Sequence, residues 1–189
     1  MLKEMDRQHF ENARGVDITR SLLSIFRRRK TTRFFKKSHV DEEIVKNAIA
    51  IAWTAPSGAN KQPWSFALIS DEHTKEEIRE RAEQEEREFY QEKAPKQWLN
   101  DLKPFHTNAD KSFISQASYL IPVFCKNYDL DEENQKTNNY YVKESTGLAT
   151  GLLIGALHMA GLSVLTYTPS NRNSTLRDQS FTCKGYPPY

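Results

Sequence analysis

Four stretches of this chain carry helical signals, and they differ in how much apolar surface each would bury. In residues 17–29, "DITRSLLSIFRRR", Ile18, Leu22 and Ile25 share one face and Asp17 reads as the N-cap. Asp41 caps a second helix, in which Ile44, Val45, Ala48, Ile49, Ala52 and Trp53 keep helical spacing until Pro56. Residues 75–90, "KEEIRERAEQEEREFY", are nearly all charge, with only Ile78 and Ala82 apolar before Phe89. Such a helix buries little, so it is expected to be a solvated arm or a flap closing over something. Residues 147–160 are apolar all round, which predicts a central helix. Gly147, Gly151 and Gly155 recur there every four residues and give a smooth stripe for close approach.

Strand signals are fewer. "WSFALIS", "YLIPVFCKNY" and "SVLTYT" qualify, and Pro122 removes a donor from the second, which suits a sheet edge or a strand start. Residues 91–107 read as loop. Few strands, several helices and no βαβ regularity predict an α+β fold in a single domain over 1–189.

Composition then narrows the class. The 38% hydrophobic content of these 189 residues is low, so a partner chain is expected to help complete the core. A net charge of +2 gives no reason to expect nucleic acid or an acidic membrane as partner. Residues 147–165 have the length of a membrane helix, but Gly161 splits them and His158 and Ser163 interrupt them, so a buried helix is expected. The opening "MLKEMDRQHF" is charged and lacks the apolar segment of a secretion signal. Cys125 and Cys183 make neither a CxxC nor a zinc spacing, and Cys125 lies in an apolar run. A buried free thiol and a reducing, cytoplasmic setting follow as expectations. The histidines are scattered without ligand spacing, so no metal site is expected.

Two segments carry candidate chemistry. "TAPSGANKQPW", residues 54–64, is longer than a plain turn, and its small side chains leave backbone N–H groups bare. It lacks the Lys of a Walker loop, and Ser57 does not sit in GxSxG. The basic run Arg27, Arg28, Arg29, Lys30 and Arg33 reads either as a solvated helix end or, with the Thr31 and Thr32 hydroxyls, as a phosphate site.

Together, "RRKTTRFF", the apolar helix after it and "APSGANKQPWSFALI" resemble the FMN-dependent nitroreductase superfamily. Its usual opening is Arg-Arg-Ser-x-Arg-x-Phe, then Ala-Pro-Ser-x-x-Asn-x-Gln-Pro-Trp. The resemblance implies a mixed sheet flanked by helices, in an intertwined homodimer with FMN at the interface. It implies that Arg29, Lys30, Thr31, Thr32 and Arg33 grip the FMN phosphate. Ser57 and Gly58 would lay backbone amides against the flavin, and Thr166, Tyr167 and Thr168 would run past its ring. Lys30 and Thr31 stand where Arg and Ser are common, which keeps charge and hydroxyl but changes geometry.

Within the superfamily, "EEREFY", "KQWLNDLKPFHTNADK" and "GLLIGALHMAGLSVLTYTPSN" resemble the iodotyrosine deiodinase family, from about Glu11 to Asn171. That resemblance implies FMN-dependent reductive dehalogenation of halotyrosines, with NAD(P)H as the ultimate reductant. Glu86, Tyr90 and Lys111 would clamp the amino-acid zwitterion, since Glu86 pairs an ammonium while Lys111 and Tyr90 meet a carboxylate. The backbone at Gly58 and Ala59 would hold the phenolate, and the Thr166 hydroxyl would reach flavin N5 as the catalytic contact. The alternatives are a generalist nitro or quinone reductase and a flavin-binding protein without turnover. Residues 172–189 diverge from the family's continuation into a further strand and a C-terminal arm.

Overall fold

The computed structural model describes residues 12–168. Cys183 and the divergent segment 172–189 lie outside the described residues. Helix α1 spans Asn12–Phe26, α2 Glu42–Trp53, α3 Glu72–Glu88, α4 Lys96–Leu102, α5 Phe113–Gln116 and α6 Val142–Met159. Strand β1 (Trp64–Phe66) pairs antiparallel with β2 (Val123–Cys125), and β3 (Tyr128–Leu130) pairs antiparallel with β4 (Lys136–Asn138). The first pair is prolonged by a bridge between Ile69 and Leu120. The fold is α+β, with helices carrying most of the packing.

Helix α2 follows its sequence signal closely. The Asp41 side chain accepts the N–H of Glu43, Glu42 and Glu43 complement the positive helix start, and the helix ends before Pro56. Its buried face, Val45, Ala48, Ile49 and Ala52, meets Leu153 and Leu157 of α6 in the main core cluster. Tyr119, Ile121 and Val123 pack against the same cluster from the sheet side. Pro122 directly precedes β2; its carbonyl accepts from the N–H of Ala67, but the return bond to the Ala67 carbonyl is missing because proline has no N–H.

Several expectations need correction. Helix α1 is already formed at Asn12, and Asp17 lies inside it, bonded to Arg20 rather than capping. Helix α3 begins at Glu72 because Asp71 accepts both the N–H and the hydroxyl of Thr74. The expected loop 91–107 is largely helical: a π turn at Phe89–Lys93, then α4, then a 3-10 turn at Lys103–Phe105. There Phe89 packs edge-on against Trp98 at 5.1 Å, a tertiary contact that favours the helical path. "SVLTYT" forms a single parallel bridge, Val164 to Thr31, and no strand among the described residues. Cys125 is exposed rather than buried, because β2 has by then run past the cluster that Val123 enters.

Helix α6 is also less central than its composition predicts. Ala149, Leu153 and Leu157 are buried, but Leu148, Leu152 and Met159 are exposed within the chain. A Cβ added at Gly147 or Gly151 would meet nothing within 4 Å. At Gly155 the neighbour is the Phe26 ring, 3.4 Å away, so only this glycine lets another helix of the same chain come close. No helix among the described residues is long and apolar enough to cross a membrane.

The two faces of α6 are expected to respond differently to truncation. Leu153→Ala opens a cavity in the core cluster and should cost about 2–5 kcal/mol in urea unfolding. Leu152→Ala, on the open face, should cost much less in the isolated chain. Equal losses would place both residues in one continuous core.

Candidate functional site

Helix α3 has too little apolar surface to be held by packing alone, and a row of polar contacts holds it instead. Lys75, Arg79, Glu83, Glu86 and Tyr90 recur every three or four residues and so form one stripe along it. The stripe meets the segment 107–117. Lys75 Nζ donates to the Ala117 carbonyl at 2.9 Å, and Arg79 Nη1 to the Ser115 hydroxyl at 3.4 Å. Glu83 Oε1 accepts from Arg79 Nε at 2.9 Å and from the backbone N–H of Lys111 at 3.0 Å. Tyr90, in the π turn, donates its hydroxyl to Thr107 Oγ1 at 3.2 Å. The charged helix is therefore docked, with Ala82 fully buried beneath it.

At the centre of the stripe Glu86 and Lys111 form an ion pair, Nζ to Oε2 at 3.2 Å, with each side chain only 7% exposed. Charges so far from water need every polar atom matched. The second Glu86 oxygen, Oε1, accepts from the Tyr167 hydroxyl at 3.2 Å. Lys111 Nζ also donates to the Asn108 carbonyl and lies 5.8 Å from the ring centroids of both Tyr90 and Tyr167. Phe113 packs edge-on against Tyr167 at 5.8 Å. Burial first, and the Glu86 charge second, hold the Tyr167 phenol far above its ordinary pKa of 10.0, so it stays protonated and donates.

The chain thus brings Glu86, Tyr90 and Lys111 together, from helix, π turn and loop. It places Tyr167 beside them, with its phenol turned to Glu86, while Thr166 and Thr168 on either side are exposed. No spacing rule points to this phenol contact, because Tyr167 lies 81 residues from Glu86. The seam residues Arg79 and Glu83 were also missed, although their spacing from Glu86 and Tyr90 is a signal that a search for polar stripes would find.

A cavity of about 460 Å³ lies where the end of α1 meets the end of α6. Arg28, Arg29, Lys30 and Thr32 line one side, and His158 and Ser163 the other. The parallel bridge from Thr31 to Val164 and the bond from Thr32 N–H to the Val164 carbonyl (3.3 Å) fix the basic segment against the 161–164 turn. Arg33 is exposed and outside this lining, so the expected phosphate group gathers as Arg29, Lys30 and Thr32, with Arg28 added. His158 is positioned by the Ile25 carbonyl at 2.9 Å and by the edge of Phe26.

The loop 57–62 is tightly built. The N–H groups of Asn60 and Lys61 return to the Ser57 and Gly58 carbonyls, and the Gln62 N–H is taken by Ser57 Oγ at 2.9 Å. Those of Gly58 and Ala59 stay outside this internal network. Ala59, Asn60 and Gln62 all adopt positive φ, near 50°, a conformation that is strained for side chains other than glycine. A Cβ at Gly58 would lie 2.9 Å from the Tyr141 ring and 3.3 Å from the Tyr140 carbonyl, so glycine is required there. Among the described residues no group of three His, Cys, Asp or Glu side chains could hold a metal ion.

With this geometry in hand, comparisons with known proteins are specific. The model of the nitroreductase family matches residues 26–178. The chain is similar to the iodotyrosine deiodinase of Haliscomenobacter hydrossis, 47% identical over 77% of this chain and 65% of that protein. It is similar to the iodotyrosine deiodinase of Hydra vulgaris, 40% identical over 79% of this chain and 55% of that protein. It thus spans less than two thirds of the length of these curated relatives. Among solved structures it resembles an oxidized iodotyrosine deiodinase bound to FMN and 3-iodo-L-tyrosine. That likeness has a TM-score of 0.70 at 33% identity, covering 79% of this chain and 76% of the other.

The seam carries a pH signature. Burial alone would raise the Glu83 carboxyl, but the bonds from Arg79 and the Lys111 N–H outweigh it and hold it below its ordinary 4.5. A depressed carboxyl stabilises the fold above the unfolded value, and that stability is lost as pH falls through the folded one. Glu83→Gln is therefore expected to cost about 1–3 kcal/mol at pH 7. In thermal melts the gap between the two proteins should close as pH drops below 4.5. A gap that persists at pH 3 would mean that shape rather than charge matters here.

Proposed function

The chain belongs to the nitroreductase family, and on that premise we propose that it is an FMN-dependent oxidoreductase that reductively dehalogenates halotyrosines. The observation that carries this reading is the buried Glu86–Lys111 pair beside Tyr90. An adjacent anion and cation, shielded from water, complement a free amino acid, whose ammonium and carboxylate are likewise adjacent. Glu86 would take the ammonium, while Lys111 and Tyr90 would take the carboxylate. The ligand's charges would then replace the pairing the residues make with each other.

FMN fits the chain at two places. Arg28, Arg29, Lys30 and Thr32 converge on one cavity with the donors a phosphate monoester needs, while Thr31 and Arg33 of the same segment lie outside its lining. The N–H groups of Gly58 and Ala59 make no hydrogen bond among the described residues and would meet the polar edge of a flavin or a phenolate oxygen. When bound, FMN supplies the two electrons that, with a proton, convert an aryl carbon–halogen bond to carbon–hydrogen and release halide. Around it, Gly58 and Ala59 would stabilise the ring as phenolate, Ser57 would keep their loop rigid through Gln62, and the Thr166 and Thr168 hydroxyls would donate to flavin atoms. The ultimate reductant is of the NAD(P)H class.

A second copy of the chain is the proposed partner. Leu148, Leu152 and Met159 form an apolar face on α6, with the stripe at Gly147 and Gly151 beside it. Because a Cβ at Gly151 would meet nothing within 4 Å among the described residues, Gly151→Leu tests the contact between copies. It should convert dimer to monomer or aggregate in light scattering, whereas an unmodified chain that is a fully active monomer would overturn the assembly.

For the cofactor, Arg29→Ala combined with Lys30→Ala should release FMN on gel filtration, since charge-assisted contacts are worth about 1.5–3 kcal/mol each. For the activity, the purified protein should consume reduced nicotinamide cofactor or dithionite with 3-iodotyrosine and release one iodide per substrate. Turnover of nitroaromatics or quinones without iodide release would give the case to a generalist reductase, and flavin binding without either turnover to a binding protein.

A further inference from the structure

We propose that Tyr167 is a positioning residue for amino-acid recognition, holding one oxygen of Glu86 so that the other stays exchangeable between Lys111 and an incoming ammonium. This rests on the reading of Glu86 and Lys111 as the zwitterion clamp. A carboxylate alone with a buried ammonium would offer it both oxygens, and a ligand would have to displace the whole pair. Here Tyr167 donates to Oε1 at 3.2 Å, and Lys111 is left with Oε2. The phenol has no competing role as an acid, because burial and the neighbouring carboxylate keep it protonated. Its ring is fixed by Phe113 on one side and by Lys111 Nζ at 5.8 Å.

The placement along the chain adds a consequence. Tyr167 lies between Thr166 and Thr168 and three residues past Val164, which is tied to the basic segment through Thr31 and Thr32. One short stretch therefore connects the phosphate cavity to the clamp on α3. Occupation of the clamp is felt by that stretch through the Tyr167 hydroxyl, since no other side chain of 166–168 is hydrogen-bonded to α3 among the described residues.

The test uses the FMN-loaded protein and compares dissociation constants for 3-iodotyrosine and for 2-iodophenol, which has the ring but no charges, by calorimetry. Tyr167→Phe keeps the ring and removes only the hydroxyl. It should weaken 3-iodotyrosine about tenfold and leave 2-iodophenol within twofold, as expected for one bond to a charged group. Glu86→Gln should show the same selectivity, and the double variant should be less than additive because both act on one carboxylate. If Glu86→Gln is selective and Tyr167→Phe is not, or if the two losses add fully in the double variant, the role of Tyr167 is overturned while the clamp stands. If Glu86→Gln weakens both ligands alike or neither, the clamp itself fails, and this inference with it.

Discussion

The buried pairing of Glu86 with Lys111 constrains most of what surrounds it. Taking both charges out of water is costly, and the attraction between them repays that only when the geometry is held and the remaining lone pairs are satisfied. The chain meets this condition from three directions. The Asp71 cap and the seam through Lys75, Arg79 and Glu83 fix α3, the Glu83 carboxylate fixes the backbone of Lys111, and Tyr167 donates to Glu86 Oε1. A helix whose composition suggests a solvated arm is thereby made part of the fold. Its charges are not only a solvated face, because those on one stripe form an interior of their own.

The apolar core lies elsewhere, between α2, α6 and the short β1–β2 pair. That division of labour separates rigid from exchangeable parts. Packing of Val45, Ile49, Leu153 and Leu157 sets where the ends of α2 and α6 fall, and from those ends come the 57–62 loop and the basic cavity. The polar seam is made of hydrogen bonds and ion pairs, and the proposed clamp at its centre would exchange such partners for those of a ligand without breaking the core.

The strained loop has a similar logic. Ala59, Asn60 and Gln62 hold positive φ, and Gly58 is pressed against Tyr140 and Tyr141. Ser57 and the turn bonds hold this arrangement, so the N–H groups of Gly58 and Ala59 are presented rather than buried in ordinary turn bonding. Strain of this kind is kept where the surroundings over-determine it, and here Trp64 anchors one side with its ring fully buried beside Ala55.

Local patterns in the sequence specified the α+β class, the Asp41 cap, the core face of α2, the turn at Pro56–Gln62 and the basic segment, because each depends on neighbours within a few residues. The same holds for Glu86 and Tyr90, which lie four apart and reach a common loop. Helical spacing alone misjudged α6, since an all-apolar helix does not say which face its own chain covers. It also carries no signal for 91–107, where the contact of Phe89 with Trp98 stabilises helical turns. Cys125 was misplaced for a related reason, since an apolar run does not reveal where a strand outlasts its core. The meeting of Glu86 with Lys111 and Tyr167 was beyond any local rule. These residues are 25 and 81 positions from Glu86, and only the folding of α3 onto the 107–117 segment and the 164–168 stretch brings their charges and hydroxyl within bonding distance.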